Sequence, residues 1–234
     1  MSLASRIKKY EAVSAGQLTP RSPVIVRVDG RAFHTLTRGC VKPFDMGIIT
    51  AMMIAALRTS KDIQGFKAAY AQSDEATFLL TDYDDLSTQG WFDYKLSKIV
   101  SISAALMSVH FSEVYEKFAV FDSRAFNVPR EDVVNCFLWR AQDWKRNSLQ
   151  MYARANFSHK ALHGKRSDDL HELLHSVGKN WTTDLTDQQK NGTFIIGNVV
   201  RHDILPTYES INEVIGPLIY PTEHLTHLNT AEDR

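Results

Sequence analysis

Acidic residues stand at the ends of two apolar, strand-like runs in this sequence. The run that opens VIVRVDGRAFH stops at Asp29, and the run that opens YAQSDEATFLL stops at Asp74 and Glu75. Two ionised carboxylates in close contact repel each other unless a proton or a cation lies between them. Oxygen ligands suit Mg²⁺, which keeps its remaining positions for water and nucleotide phosphates. If the fold brings Asp29 and Asp74 together, we expect a magnesium site.

Small and cationic residues accompany the first acid. Gly30 offers a backbone carbonyl to a metal, and its lack of a side chain would let backbone amides approach a phosphate. Four cationic side chains nearby suit a triphosphate: Arg27, Arg31, His34 and Lys42. The alternative is that Asp29-Gly30 is an ordinary turn and Asp74-Glu75 a polar hairpin loop, because Asp and Gly are common turn residues.

The elements that must position these residues follow from the apolar periodicity. The patterns predict a strand at 24–28, a helix at 45–57, strands at 65–73 and 76–83, a helix at 91–118 and a strand at 119–128. Asp45 is placed to cap the first helix. This βαββαβ order predicts an α+β, ferredoxin-like fold, with a four-stranded antiparallel sheet, two helices on one face and the other face open.

The chain past Pro129 is mainly helical. We predict a long helix at 130–157, a second near 166–177 and a short strand within 192–200. We therefore expect a catalytic domain at 1–130 and, at 131–234, a helical extension packed on it.

Composition excludes several classes of protein but does not identify the function. Lys and Arg balance Asp and Glu at 27 each, so the molecule as a whole offers no field for a polyanion. Cys40 and Cys136 lack the spacing of a metal or redox motif and are expected to be free thiols. The apolar stretches are too short to cross a bilayer, and we expect a cytoplasmic protein with no membrane partner.

Five motifs in order resemble one family. They are VRVDGRAFH, KPFD at 42–45, AQSDE at 71–75, FDSR at 121–124 and WRAQD at 139–143. Over about residues 5 to 160 the sequence resembles the tRNA(His) guanylyltransferases. Members of that family add nucleotides to the 5′ end of tRNA, in the direction opposite to ordinary polymerases.

The resemblance implies a polymerase-type palm with two Mg²⁺ ions. They would be held by Asp29, the Gly30 carbonyl and Asp74, with Glu75 as a neighbouring acid required for activity. GTP and ATP would be substrates. The implied nucleotide contacts are Asp29, Gly30, Arg31, Ala32, Phe33, His34, Lys42, Asp45, Ser73, Asp74 and Lys98.

One segment departs from the eukaryotic pattern. Where eukaryotic members carry His-Ile-Asn-Asn, this chain has Lys145, Arg146, Asn147 and Ser148. The sequence is therefore closer to the bacterial and archaeal guanylyltransferase-like branch, which repairs 5′-truncated tRNAs by template-dependent 3′-to-5′ addition. Such proteins use a 5′-adenylylated or 5′-triphosphorylated tRNA, which the 3′-hydroxyl of an incoming nucleotide attacks. The family tends to form tetramers.

A basic, aromatic-bearing segment follows the last motif. Cationic and aromatic side chains together suit phosphate contacts and base stacking with RNA. Taken alone, such a run is also typical of a solvated helix face. The predicted RNA contacts are Lys145, Arg146, Asn147, Arg154, Lys160 and Lys165.

Three other functions compete with this interpretation. A strict tRNA(His) guanylyltransferase would add one guanosine to a single tRNA. A palm-type nucleotide cyclase shares the sheet and the paired acids. A non-catalytic RNA-binding module would use the open face of the same sheet, although such modules place aromatics where this chain has carboxylates.

Overall fold

The computed structural model describes residues 3–12, 15–85 and 87–220. The strands are β1 Val24–Gly30, β2 Phe66–Gln72, β3 Glu75–Leu80, β4 Phe121–Asn127, β5 Thr193–Ile196 and β6 Val199–Arg201. The first helices are α1 Leu3–Ala12, α2 Phe33–Leu36, α3 Met46–Lys61, a 3-10 turn Trp91–Tyr94, and α4 Leu96–Tyr115. The later helices are α5 Arg130–Asn156, α6 His159–Leu162, α7 Ser167–Ser176, α8 Trp181–Asp184, α9 Asp187–Asn191 and α10 Tyr208–Ile219.

The strands form one antiparallel sheet in the order β4-β1-β3-β2-β5-β6. The predicted βαββαβ unit supplies the first four strands, and β1 lies between β3 and β4 as expected. The possible strand within 192–200 is a hairpin of two strands that extends the sheet beyond β2. The α+β palm-like fold class is therefore confirmed, with a larger sheet than the sequence indicated.

Both faces of the sheet are covered. Val26 and Val28 of β1 pack in one core with Met52 of α3 and Met107 of α4. On the opposite face Ile25 packs in a second core that α5 and α10 complete, so the prediction of an open face is wrong. The reason is that β1 to β3 are apolar on both faces over most of their length, and an apolar face must be buried against another element.

The polar part of the α5 face lies at one end of the sheet. Alternation along β1 turns Arg27 and Asp29 to the same face as Ile25. Asp29 lies opposite Glu75 on β3 and opposite Asp122 on β4. The sheet therefore gathers its carboxylates where β1 ends.

Helix boundaries follow local chemistry. The Asp45 carboxylate accepts hydrogen bonds from the backbone nitrogens of Gly47 and Ile48 and caps α3, as predicted. The helix predicted at 91–118 begins at Leu96, because Phe92 and Asp93 adopt positive φ angles that interrupt it. Cys40 and Cys136, both within the described residues, are free thiols. No helix in that part of the chain is long and apolar enough to span a membrane.

Candidate active site

The end of β1 is tied to the turn between β2 and β3. The backbone nitrogen of Gly30 donates to the carbonyl oxygen of Asp74 over 2.8 Å. The turn itself needs Ser73 at a positive φ of 50°. This bond brings Asp29 and Asp74, which are far apart in sequence, to one place.

The two aspartates influence each other electrostatically. Burial raises the pKa of Asp74, and the negative charge of Asp29 raises it further, while a hydrogen bond with Ser73 works in the opposite direction. A divalent cation between the carboxylates would remove this conflict. Across residues 3–12, 15–85 and 87–220, no group of three or more His, Cys, Asp or Glu side chains is arranged to hold a metal ion by itself. Two carboxylates and the Gly30 carbonyl leave room for water and phosphate, as Mg²⁺ requires.

Glu75 is turned toward α5 and is already paired. Its Oε1 accepts from Nε of Arg140 at 2.6 Å, and its Oε2 lies 3.7 Å from Nε of Arg27. Burial raises the pKa of Glu75, whereas Arg140 and Arg27 lower it and Asp29 raises it. Glu75 therefore supports the site through ion pairs on the α5 side.

Arg140 links the acids to the outer part of α5. Its guanidinium also donates to Asp143 at 3.2 Å and lies 4.5 Å from the centre of the Trp139 ring. Asp143 in turn accepts from Arg146 at 3.0 Å and from Asn147 at 3.4 Å. Sequence reasoning did not identify Arg140 as a partner of Glu75, because nothing in the helical pattern says which strand α5 crosses.

Gly30 has a packing role in addition to its carbonyl. A Cβ atom at Gly30 would lie 2.3 Å from Cε2 of Phe33, so the Phe33 ring packs directly against the backbone of Gly30. The Phe33 ring is held from the other side by Phe111 and Phe121, each 5.3 Å away between ring centres. Ala32 enters α2 with a positive φ of 57°. The loop after Asp29 is thereby fixed.

A cavity of about 200 Å³ opens beside this loop, and it is called the main cavity below because predicted nucleotide contacts line it. Six residues predicted to contact the nucleotide line it: Phe33, His34, Lys42, Asp45, Ser73 and Asp74. Their hydroxyl, imidazole, ammonium and carboxylate groups suit a phosphorylated ligand and its cation. The structure therefore gathers residues from three separate motifs around one space.

The rest of the main cavity wall is mostly apolar and was not predicted. Phe44 and Trp144 meet edge to face with ring centres 6.2 Å apart, and Ile49 and Met151 complete that side. Trp144 and Met151 come from α5. The apolar character of α5 was visible in the sequence, but the surface it covers was not.

Asp45 lines the main cavity and also organises its wall. Burial raises the pKa of this carboxyl, but backbone hydrogen bonds from Ile48, Val41 and Gly47 outweigh that effect and hold it below its usual value. The carboxylate thus joins α3 to the loop before it.

Five predicted nucleotide contacts do not line the main cavity. Asp29 and Gly30 lie at the end of β1, and the other three lie elsewhere. Arg31 and Ala32 line a shallow depression together with Phe118 and Val120. Lys98 stands in the first turn of α4, with its ammonium 5.8 Å from the Phe92 ring centre. The other end of α4, at Tyr115, is the end that reaches Cys40 in the main cavity, about 25 Å along the helix. The structure therefore does not bring Lys98 to that cavity.

The predicted RNA contacts lie on or next to α5 and α6. Lys145, Arg146, Asn147 and Arg154 are exposed on α5, Lys160 is exposed on α6, and Lys165 follows α6. Arg154 and Lys165 also line a small cavity of about 110 Å³ with Gln150. Two of them, Arg146 and Asn147, bind Asp143, which Arg140 joins to Glu75.

The chain is similar in sequence to known proteins. A family model described as tRNAHis guanylyltransferase matches residues 4–129, more than half of the chain. The tRNA(His) guanylyltransferase of Schizosaccharomyces pombe is 27% identical over an alignment of 191 residues that covers 73% of this chain and 70% of that protein.

Two solved structures are similar over nearly the whole chain. A bacterial tRNA(His) guanylyltransferase-like protein in complex with ATP matches with a TM-score of 0.89 and 40% identity, covering 94% of this chain and 100% of that one. A structure of such a bacterial protein in complex with GTP matches with a TM-score of 0.83 and 38% identity, at the same coverage. This chain therefore belongs to the tRNA(His) guanylyltransferase family, a family of nucleotidyltransferases.

Proposed function

We propose that this protein adds nucleotides to the 5′ end of truncated tRNA, in the 3′-to-5′ direction and as directed by the opposite strand. The observation that carries the proposal is the backbone bond that ties the Asp29-Gly30 end of β1 to Asp74, which lines a cavity of about 200 Å³. Similar bacterial proteins have been solved with ATP and with GTP, which supports both nucleotides as substrates.

The proposed chemistry has two transfers. In the first, an oxygen of the tRNA 5′-monophosphate attacks the α-phosphorus of ATP, and pyrophosphate leaves. In the second, the 3′-hydroxyl of the incoming nucleotide attacks the 5′-phosphorus of the tRNA and loses its proton, and AMP leaves. A tRNA that already carries a 5′-triphosphate needs only the second transfer, with pyrophosphate as the leaving group.

Different residues of the site are proposed to bind the metal ions and the phosphates. Two Mg²⁺ ions, held by Asp29, Asp74 and the Gly30 carbonyl, would stabilise charge on the attacking and leaving oxygens. Lys42, His34 and Ser73 would bind and orient phosphates at the polar end of the main cavity. Such reactions depend on in-line positioning more than on covalent help from the protein.

The exposed surface of α5 and α6 is proposed to bind the tRNA. Three of its five cations are carried by α5, the same helix that pairs with Glu75 through Arg140. Helix α5 would therefore hold a bound tRNA at a fixed position relative to Asp29 and Asp74. The helical extension from residue 131 thus supplies RNA contacts to the catalytic part of the chain.

Strict tRNA(His) guanylation is the second candidate. It is favoured by the function named for the Schizosaccharomyces pombe relative. The Lys145-Arg146-Asn147-Ser148 segment favours repair instead, because it differs from the eukaryotic motif at three of its four positions.

A single extension assay separates the candidates. The protein is incubated with Mg²⁺, labelled GTP and tRNAs lacking the first 5′ nucleotide, each carrying a 5′-monophosphate or a 5′-triphosphate. We expect extension by the complementary nucleotide on several tRNAs, with ATP required only for the monophosphate. Extension of tRNA(His) alone would support strict guanylation, and consumption of nucleotide without extension would support a cyclase.

The assembly is proposed to be a cytoplasmic homotetramer. Supporting this, Phe118 is 98% exposed and Val120 57% exposed beside the edge strand β4. Sedimentation velocity of the wild type and of Phe118→Ser tests the assembly. A wild-type monomer would contradict it.

A further inference from the structure

Two buried polar atoms beside the main cavity have no hydrogen-bond partner among the residues that the structure describes. The indole Nε1 of Trp144 and the amide Oε1 of Gln72 make no hydrogen bond with any residue that the structure describes. Trp144 is 3% exposed and Gln72 is 6% exposed. Because native structures leave few buried polar atoms unpaired, each such atom calls for an explanation.

Both residues line the same small recess behind the main cavity. The recess has a volume of about 10 Å³ and shares Ile49, Ser73 and Trp144 with the main cavity. Two further polar side chains in its wall already have hydrogen-bond partners. Gln188 donates to Thr193, and Thr193 also bonds to His202. The recess therefore presents one donor and one amide with unused hydrogen-bonding capacity.

The size of the recess limits what could enter. About 10 Å³ is close to the least volume that holds one water molecule, so only one water-sized group fits. An exocyclic oxygen or amino group of a nucleobase is such a group. The ring that carries it would have to remain in the main cavity.

The main cavity has a suitable end for that ring. Phe44, Trp144 and Met151 form its apolar side, whereas Ser73 and Asp74 lie on its polar side. A nucleotide with its phosphates near the acids would place its base against the apolar side. Trp144 of the apolar side and Ser73 of the polar side both line the recess.

We propose that the recess is the subsite for the 6-substituent of a purine nucleotide, with Trp144 as donor and Gln72 as the adaptable partner. The inference rests on the proposed nucleotide-binding role of the main cavity. Guanine O6 accepts from Trp144 and from the amide nitrogen of Gln72. The adenine 6-amino group donates to Oε1 of Gln72, and the adjacent ring nitrogen accepts from Trp144.

This subsite would admit both purines. A glutamine amide presents an oxygen or a nitrogen after a half-turn, so Gln72 can match an oxo or an amino group. The protein would then bind either base, and choice of base would be left to the template strand.

Calorimetric titration with ATP, GTP and purine riboside triphosphate, which lacks the 6-substituent, tests the proposal. We expect the wild type to bind purine riboside triphosphate about 3- to 10-fold more weakly than ATP or GTP, the range for a hydrogen bond. Trp144→Phe keeps the ring but removes the N–H, and should bind GTP about 3- to 10-fold more weakly than the wild type. Without nucleotide, Trp144→Phe should have an unchanged melting temperature, because the free protein makes no bond there.

Trp181→Phe is the matched control. Trp181 is also buried, but its Nε1 donates to Oγ of Ser148 at 3.0 Å. This variant should lose thermal stability and keep the wild-type preference for ATP and GTP over purine riboside triphosphate. If Trp144→Phe does not fold, Gln72→Met provides the same comparison of the three nucleotides.

Two results would overturn the proposal. One is equal binding of all three nucleotides by the wild type. The other is a Trp144→Phe variant with a lower melting temperature and the full wild-type preference, which would mean that a structural water fills the recess. Absence of nucleotide binding would overturn it too.

The tRNA extension assay is scored separately from these titrations. A protein that extends tRNA but fails the titrations leaves the proposed function intact and overturns this subsite. A protein that passes the titrations but extends no tRNA supports the subsite and contradicts the proposed function.

Discussion

Arg140 on α5 donates to Glu75 on β3 over 2.6 Å, although 65 residues separate them in sequence. Their side chains are 12% and 10% exposed, so the pair is largely shielded from water. Glu75 follows Asp74 directly, and Arg140 also binds Asp143 near the predicted RNA surface. The pair is therefore the direct connection between the carboxylate cluster and the helix that we propose binds RNA.

Replacement of Arg140 should be costly. Arg140→Met leaves Glu75 buried with only Arg27, at 3.7 Å, and loss of one partner of a buried pair costs about 3–5 kcal/mol. We expect a lower free energy of unfolding, measured by urea denaturation, and weaker nucleotide addition. Arg146→Met is the control, because Arg146 binds the same Asp143 from an exposed position and should cost less than about 1 kcal/mol. Equal stability of the two variants would contradict this assignment.

Gly30→Ala should disturb the loop after Asp29. The added Cβ would lie 2.3 Å from the Phe33 ring, which Phe111 and Phe121 prevent from moving away freely. Overpacking of this kind costs about 1–3 kcal/mol, and we expect that loss in thermal denaturation together with reduced nucleotide addition. A second change, Phe33→Leu, should relieve the clash, so the double variant should be less destabilised than the sum of the single variants. Strict additivity would show that the contact is unimportant.

Asp45→Ala should remove a helix cap in a pH-dependent way. Loss of an N-cap costs about 1 kcal/mol at neutral pH. The pKa of Asp45 is lower in the folded protein than its ordinary value, so its ionisation stabilises the fold above about pH 4. This contribution is lost as the pH falls through the folded pKa, and the wild type and the variant should converge there in urea denaturation.

The control for the Asp45 prediction is Asp45→Asn, which caps a helix without titrating. It should keep most of the wild-type stability at neutral pH. A wild-type advantage over Asp45→Ala that stays constant down to strongly acidic pH would contradict the role given to the carboxylate.

Lys145→Ala and Arg146→Ala should weaken RNA binding without affecting nucleotide binding. Both side chains are exposed on α5 and do not line the main cavity. Each lost phosphate contact should reduce the slope of log affinity against log salt concentration by about 0.7–0.9. Lys61→Ala, an exposed lysine at the end of α3, is the control. An unchanged salt slope in both α5 variants would place the RNA elsewhere.

The sequence was sufficient for the first four strands and for the convergence of the acids. Alternation in β1 and the tight hairpin between β2 and β3 are local patterns, and together they place Asp29 beside Asp74. The Asp45 cap was also local and was predicted correctly.

What the sequence could not supply depends on long-range packing. The periodicity of α5 defines an apolar side, but it does not say that this side covers the sheet or that Trp144 closes the main cavity. The late start of α4 also lacked a signal, because Phe92 and Asp93 are ordinary residues in a left-handed conformation. The partner of Glu75 could not be predicted for the same reason as the covered face of the sheet, because both depend on where α5 packs.

The most direct test of the account compares Asp29→Ala and Asp74→Ala with Glu113→Ala in extension of a 5′-truncated tRNA. Glu113 is an exposed carboxylate on α4 that pairs with Arg58, away from the main cavity. We predict that each aspartate variant folds but adds no nucleotide at any Mg²⁺ concentration, and that Glu113→Ala retains wild-type activity. Wild-type extension by either aspartate variant would contradict the proposed metal-dependent transfer at this site.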